Sequence, residues 1–211
     1  MPVPLLVFLH GLGQTPPLWQ DQVTSLPTGT RAVAPWLEGL RPGKPADFDL
    51  DRAADAVLAQ LNRFGVDSVA LAGTGLGAAV AAVAAGRSPD AVSHLVLSDL
   101  QPRAPKLAGL AQRLAVRTMP AGRLADAGLD RARMLRLVKA VSGIDLRPHL
   151  ATVTARSLLI SGGSDAAGTA VARELAVGME GARVEVVPGV GAPVPTQASE
   201  QYNRLLYGFL D

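Results

Sequence analysis

The sequence predicts an α/β fold with a doubly wound, mainly parallel sheet of about six strands. Two observations carry this prediction. Short apolar runs alternate with helical stretches along almost the whole chain, which is the pattern of right-handed βαβ units. Most of these runs are continuously apolar, as is typical of parallel strands that helices cover on both faces.

The predicted elements follow one another in chain order. The predicted strands are Leu5–Leu9, Arg31–Ala34, Ser68–Ala72, His94–Ser98, Ser157–Ser161 and Arg183–Val187. The predicted helices between and after them are Pro17–Ser25, Asp51–Phe64, Leu76–Gly86, Gly168–Gly178 and Thr196–Leu210. Acidic residues open the second of these helices, which suits a helix N-terminus.

Residues 101–155 interrupt the alternation. Helical patterns occur near Pro105–Thr118 and Asp130–Ser142 with no strand between them. We interpret this stretch as a small helical lid over the carboxyl edge of the sheet, where α/β proteins bind ligands. A long crossover connection is the alternative, and either fits a single domain over residues 1–211.

Composition excludes several classes of function. The 211 residues carry a net charge of +2 without a block of basic residues, and they include no cysteine. This argues against nucleic-acid binding and excludes disulfides, thiolate metal sites and a cysteine nucleophile. No cluster of His, Asp and Glu has metal-ligand spacing, so we expect neither metal nor cofactor.

The apolar N-terminal stretch Pro2–Phe8 is too short for the core of a signal peptide. No other stretch approaches the roughly 20 apolar residues of a membrane span. We therefore expect a cytoplasmic protein with no membrane partner, of undefined oligomeric state.

The most informative motif lies within residues 69–80, where an apolar strand meets a small-residue helix. The turn reads Gly73-Thr74-Gly75-Leu76-Gly77. This is the frame of the nucleophile elbow G-x-S-x-G, in which a serine sits on a sharp strand-to-helix turn. Gly75 stands at the serine position, and glycine has no side chain that could attack.

Together with the elbow, four further motifs resemble the α/β-hydrolase superfamily, in that family's order. They are the strand and His-Gly-x-Gly loop of Leu5–Gly13, the strand His94–Asp99, the strand and acid turn of Ser157–Asp165 and the turn Val186–Pro193. The resemblance implies a minimal version of the fold that lacks the first antiparallel strands.

The resemblance also implies a serine nucleophile, a histidine base and an acid that orients the histidine. These positions are Gly75, Ala192 and Asp165, and no histidine follows His149. Loss of the serine or histidine from such a triad costs a factor of about 10⁶ in turnover. We therefore expect a degenerate triad without conventional acyl hydrolysis, and whether the protein is an enzyme stays open.

Few other side chains near the motifs offer chemistry. Thr74 is the nearest hydroxyl, either a weak candidate nucleophile or a packing residue. Asp165 either remains from a former site or caps the following helix. Asp99 could be a relocated acid, although it has no histidine to orient.

The resemblance implies an oxyanion hole built from the amides of Leu12 and Leu76, beside His10 and Gly11. Backbone donors do not depend on the missing side chains. We therefore expect non-catalytic binding of a small, partly apolar ligand with a carbonyl or carboxylate group in the former cleft. Ester hydrolysis through an unconventional nucleophile and a purely structural or interaction module are the alternatives.

Overall fold

A computed structural model of the protein describes residues 3–103, 113–126 and 128–211. Its sheet has six strands in the order β2-β1-β3-β4-β5-β6, and each neighbouring pair is parallel. The strands are β1 (Leu6–Leu9), β2 (Ala32–Val33), β3 (Val69–Thr74), β4 (Val92–Ser98), β5 (Arg156–Gly162) and β6 (Arg183–Val187). The predicted fold class and strand positions are confirmed.

The helices connect these strands, and a 3₁₀ turn at Pro16–Trp19 precedes the first of them. They are α1 (Gln20–Thr24), α2 (Leu50–Phe64), α3 (Leu76–Arg87), α4 (Ala121–Asp126), α5 (Arg131–Val141), α6 (Arg147–Leu150), α7 (Ala166–Gly178), α8 (Val194–Gln197) and α9 (Ser199–Leu210). Residues 113–118 are also helical, whereas the rest of the predicted helix Pro105–Thr118, residues 105–112, lies outside the described residues.

The predicted helix Thr196–Leu210 is wrong as one element. Ala198 has φ −144° and ψ 55°, outside the helical region, and separates α8 from α9. The break turns the chain before α9 packs on the sheet. The start of α8 lies beside the end of β4, and the Val194 amide donates a hydrogen bond to Asp99 there.

Two buried clusters fill the two faces of the sheet. On one face, α2 and α3 pack on strand residues such as Leu71 and Leu95. On the other face, Trp19 stacks on Phe8 with ring centroids 4.9 Å apart, and Tyr202 of α9 joins them. Because both faces are covered, β1 and β3 are buried over their whole length, as is typical of parallel strands between two layers of helices.

Helix α3 lies unusually close to the strands beneath it. A Cβ atom on Gly77 would lie 2.0 Å from the carbonyl oxygen of Leu9, and one on Gly73 would lie 2.5 Å from the carbonyl of Gly77. Only glycine permits these approaches. The two outer glycines of the elbow motif therefore set how β3 passes into α3.

Within the described part of the chain, no helix has both the length and the apolar character needed to cross a membrane.

Candidate functional site

The elbow backbone is present although its serine is absent. Gly75 joins β3 to α3 with φ 55° and ψ −115°, a conformation that disfavours residues with a side chain. A Cβ atom there would find only the Cα of Gly11, at 4.0 Å. The turn therefore has the sharp geometry of a nucleophile position and empty space where the nucleophile would stand.

A cavity of about 260 Å³ opens at this turn. Helix α5 and the residues after it contribute to its walls, so part of the predicted lid region borders it. The lining residues are Leu12, Gly75, Leu76, Ala79, Asp99, Gln101, Val141, Ile144 and Leu146. The walls are mainly apolar, and Asp99 is the one ionisable side chain among these lining residues.

Two backbone amides at the cavity remain available for a ligand. Among the described residues, no group accepts a hydrogen bond from the amide of Leu12 or of Leu76. By contrast, the Gly11 amide donates to Oε1 of Gln14 at 2.6 Å, and the Gly75 amide donates to the carbonyl of Ser98 at 2.9 Å. Both amides that the resemblance assigned to the oxyanion hole are thus unpaired among the described residues.

His10 is architectural and does not line the cavity. It is fully buried, and its Nε2 accepts a hydrogen bond from the amide of Leu37 at 3.2 Å. Its Nδ1 then carries the proton and donates to the carbonyl of Gly11 at 3.0 Å. Burial lowers the pKa of His10, which favours a neutral ring that holds the loop in place. Of the four predicted ligand-binding residues, only Leu12 and Leu76 lie at the cavity.

Asp165 caps a helix. Its Oδ1 accepts a hydrogen bond from the amide of Gly168 at 2.9 Å, at the first turn of α7. A capping carboxylate is satisfied by backbone donors and needs no histidine.

Replacing Asp165 by alanine is expected to lower the free energy of unfolding by about 1 kcal/mol, the usual value of an N-cap side chain. Asparagine should retain most of the stability, because it caps nearly as well. Urea unfolding monitored by circular dichroism measures both variants. Equal losses for alanine and asparagine would contradict the capping role.

The loop around Ala192, where the resemblance implies a histidine, is held by side-chain hydrogen bonds. Ala192 is exposed and joined to Pro193 by a cis peptide bond. The side chain of Gln197 accepts a hydrogen bond from the amide of Gly191 at 3.0 Å and donates one to the carbonyl of Ala192 at 2.7 Å. Sequence reasoning missed this clamp, because Gln197 belongs to no motif.

Asp99 lines the cavity and makes two hydrogen bonds that the sequence did not predict. Its Oδ2 accepts hydrogen bonds from the Thr74 hydroxyl at 2.9 Å and from the Val194 amide at 3.3 Å. One carboxylate oxygen thus joins the elbow strand to the start of α8. The only available signal was the position of Asp99 just after β4, at the carboxyl edge of the sheet. Thr74 is buried and its hydroxyl is engaged, so it does not line the cavity.

The carboxyl of Asp99 is held in an unfavourable environment. Burial raises its pKa, and the Asp165 carboxylate adds to this, whereas the Thr74 and Val194 donors lower it. The residue also has φ 55°, which non-glycine residues rarely adopt. Strained and buried groups of this kind are concentrated at functional sites.

Replacing Asp99 by asparagine is therefore expected to stabilise the protein at neutral pH. A carboxyl whose pKa is raised in the folded state stabilises the fold most when it is protonated, below its ordinary pKa of 3.8. This contribution to the free energy of unfolding is lost as the pH rises through the raised pKa. Asparagine tolerates positive φ and can still accept both hydrogen bonds. Thermal unfolding of the two proteins at pH 7 and pH 4 should show the gain shrinking at the lower pH. A gain that is independent of pH would contradict this explanation.

Among the described residues, no group of three or more His, Cys, Asp or Glu is placed to hold a metal ion. The predicted absence of a metal site therefore remains a prediction for the whole chain.

The chain resembles known proteins over most of its length. Residues 6–205 match the alpha/beta hydrolase family. A pimeloyl-[acyl-carrier protein] methyl ester esterase from Aromatoleum aromaticum is 38% identical over 100 residues, which are 47% of this chain and 38% of the esterase. The matched region is thus well under half of the length of that relative.

Two solved structures share the fold at low sequence identity. The enol-lactonase from Burkholderia xenovorans LB400 superposes with a TM-score of 0.82 at 18% identity, covering 99% of this chain and 91% of its own. MenH from S. aureus superposes with a TM-score of 0.81 at 16% identity, covering 98% and 93%. At these identities the likeness concerns the fold alone.

Proposed function

Because the chain belongs to the alpha/beta hydrolase family and yet carries Gly75 and Ala192 where that family's nucleophile and base belong, we propose that it binds a small carbonyl compound without forming an acyl-enzyme. The site is the cavity above Gly75. The observation that carries the proposal is that this cavity is open, with two unpaired amides, over an elbow that has no nucleophile.

The lining of the cavity supports a neutral, partly apolar ligand. A carbonyl oxygen can accept hydrogen bonds from the amides of Leu12 and Leu76, while residues such as Val141 and Ile144 contact the apolar remainder. A carboxylate is less suitable, because Asp99 faces the same space and an ionised pair of carboxylates would repel. Relatives named as esterases and lactonases favour an ester or lactone as the carbonyl compound.

Amide chemical shifts test the binding directly. Ethyl butyrate is titrated into the ¹⁵N-labelled protein, with butyl ethyl ether as the matched compound that lacks the carbonyl. We expect saturable shifts of the Leu12 and Leu76 amides with the ester and smaller shifts with the ether. Ala79→Phe, which places a ring in the cavity, should abolish the response. Absence of shifts at both amides with the ester would favour a structural or interaction module instead.

Mass spectrometry tests the absence of an acyl-enzyme. After incubation with p-nitrophenyl acetate, peptide mapping should find no acetyl group on a residue at the site. Acetylated Thr74 would establish an unconventional nucleophile and would contradict the proposal. Thr74→Val serves as the control that removes this hydroxyl while keeping the branched shape.

A further inference from the structure

We propose that Asp99 acts as a general base that directs a water molecule onto the bound carbonyl carbon, so that the protein hydrolyses activated esters in one displacement. The proposal rests on the binding function proposed above and adds a reaction to it. It is carried by three features that meet at the cavity, which are the empty space at Gly75, the oriented carboxyl of Asp99 and the two unpaired amides.

The space at Gly75 can hold the attacking water. In an elbow with serine, the side chain of the turn residue points at the carbonyl carbon of the substrate. Apart from its chain neighbours, a Cβ atom added to Gly75 would have one heavy atom within 4 Å, the Cα of Gly11 at 4.0 Å. A water molecule can therefore stand close to where the serine hydroxyl would be.

The carboxyl of Asp99 is fixed through hydrogen bonds to one of its two oxygens. Its Oδ2 is held by Thr74 and Val194, from two different elements. Both hydrogen bonds of the carboxyl go to Oδ2, so the other oxygen, Oδ1, has no hydrogen-bond partner among the described residues, and the residue lines the cavity. One oxygen thus anchors the group and leaves the second for a proton from water.

The surroundings of Asp99 make it a stronger base than an exposed aspartate. Burial and the facing Asp165 carboxylate raise its pKa, although the Thr74 and Val194 donors oppose them. The Tyr202 hydroxyl of α9 also lies within electrostatic range of Asp99, and its own pKa is raised by burial, so it stays neutral. A base works best when its pKa approaches the working pH.

The step balances without a further reactant. Asp99 Oδ1 takes a proton from water while the water oxygen bonds to the carbonyl carbon, and the amides of Leu12 and Leu76 stabilise the negative oxygen that forms. The bond from that carbon to the leaving oxygen then breaks, and the leaving oxygen takes the proton back from Asp99. An ester and water become an acid and an alcohol, and Asp99 returns to its starting state.

Asp99→Asn tests the base. With p-nitrophenyl acetate as substrate, we expect the unaltered protein to hydrolyse the ester faster than the buffer blank. The kcat/KM of the variant should be lower by about 10²–10⁴-fold, the usual contribution of a general base. Asp49→Asn is the matched control, because Asp49 is an exposed cap of α2, and its rate should not change. The ethyl butyrate shifts at Leu12 and Leu76 should persist in Asp99→Asn.

The pH profile separates a base from a merely structural group. The rate should fall on the acid side with an apparent pKa above that of an ordinary aspartate. Thr74 is a positioning residue in this scheme, so Thr74→Val should move that limb to higher pH by removing a donor, and Thr74→Ser should restore it. An acid limb in Thr74→Val that lies at the same pH as in the unaltered protein would overturn the role of the Thr74 contact.

The failures of the two proposals are distinguishable. The general base would be overturned if the protein binds ethyl butyrate but hydrolyses p-nitrophenyl acetate no faster than the buffer blank. An unchanged rate of p-nitrophenyl acetate hydrolysis in Asp99→Asn would also overturn it. Both outcomes leave the binding function standing. Loss of the amide shifts in the unaltered protein would overturn the binding function itself. Acetylation of a residue at the site would overturn the single displacement.

Discussion

Replacing Gly77 by alanine is expected to lower the free energy of unfolding by roughly 3 kcal/mol or more, the upper range for forcing an extra carbon into a packed site. The new Cβ would lie 2.0 Å from the carbonyl oxygen of Leu9 and 2.7 Å from that of His10. Both atoms belong to the backbone of the strand and loop below, so neither can rotate aside. Either α3 moves or the segment that carries Leu12 moves.

Gly208 provides the matched control for this variant. It lies in the last turn of α9, is exposed, and has no heavy atom within 4 Å of the position of an added Cβ. Gly208→Ala should stabilise the protein by about 0.5–1 kcal/mol, because alanine loses less backbone entropy on folding. Differential scanning calorimetry should therefore show Tm shifts of opposite sign. A Gly77→Ala protein as stable as the unaltered one would contradict the close packing of α3.

Gly75→Ser is expected to restore no triad activity, leaving turnover about 10⁶-fold below that of a complete triad. The serine would stand at the expected place, but Ala192 occupies the position that the resemblance assigns to the base, and Asp165 is engaged with the amide of Gly168. The substitution also places a side chain at φ 55°, which we expect to cost about 1–3 kcal/mol of stability. The variant should hydrolyse p-nitrophenyl acetate no faster than the unaltered protein.

Gly75→Ala separates the two effects of this substitution, because it introduces the same strain without a hydroxyl. The serine and alanine variants should lose similar stability, as measured by thermal unfolding. If Asp99 directs a water molecule into this space, both variants should also lose the hydrolysis of the unaltered protein. Ester turnover by Gly75→Ser well above that of the unaltered protein would show that Ala192 does not mark the base position.

The fold could be predicted from the sequence because its signals are local. Continuous apolar runs identify buried parallel strands, and the glycines around Thr74 identify a tight passage from β3 to α3. Each signal arises from a few neighbouring residues. The break at Ala198 was missed, because nothing in its local sequence opposes a helix.

The sequence predicted the position of Leu12 and Leu76 at the cavity through motifs that fix the chain direction, while their binding role stays a prediction. The contacts of Asp99 depend on residues 25 positions before it and 95 positions after it. Such distant partners meet only through the order of strands in the sheet. His10 and Gly11 were predicted to contact a ligand from the motif alone. The hydrogen bonds that they donate instead go to groups of the loop itself, because the loop must satisfy its own backbone.

The clamp formed by Gln197 has a consequence for how this lineage can change. Since one glutamine holds both the amide of Gly191 and the carbonyl of Ala192, the loop does not rely on residue 192 for its shape. Substitutions at that position are then expected to change the free energy of unfolding little, so the side chain of residue 192 can differ while the loop keeps its shape. The side chain that a site presents at this loop can therefore be exchanged without a change of the fold.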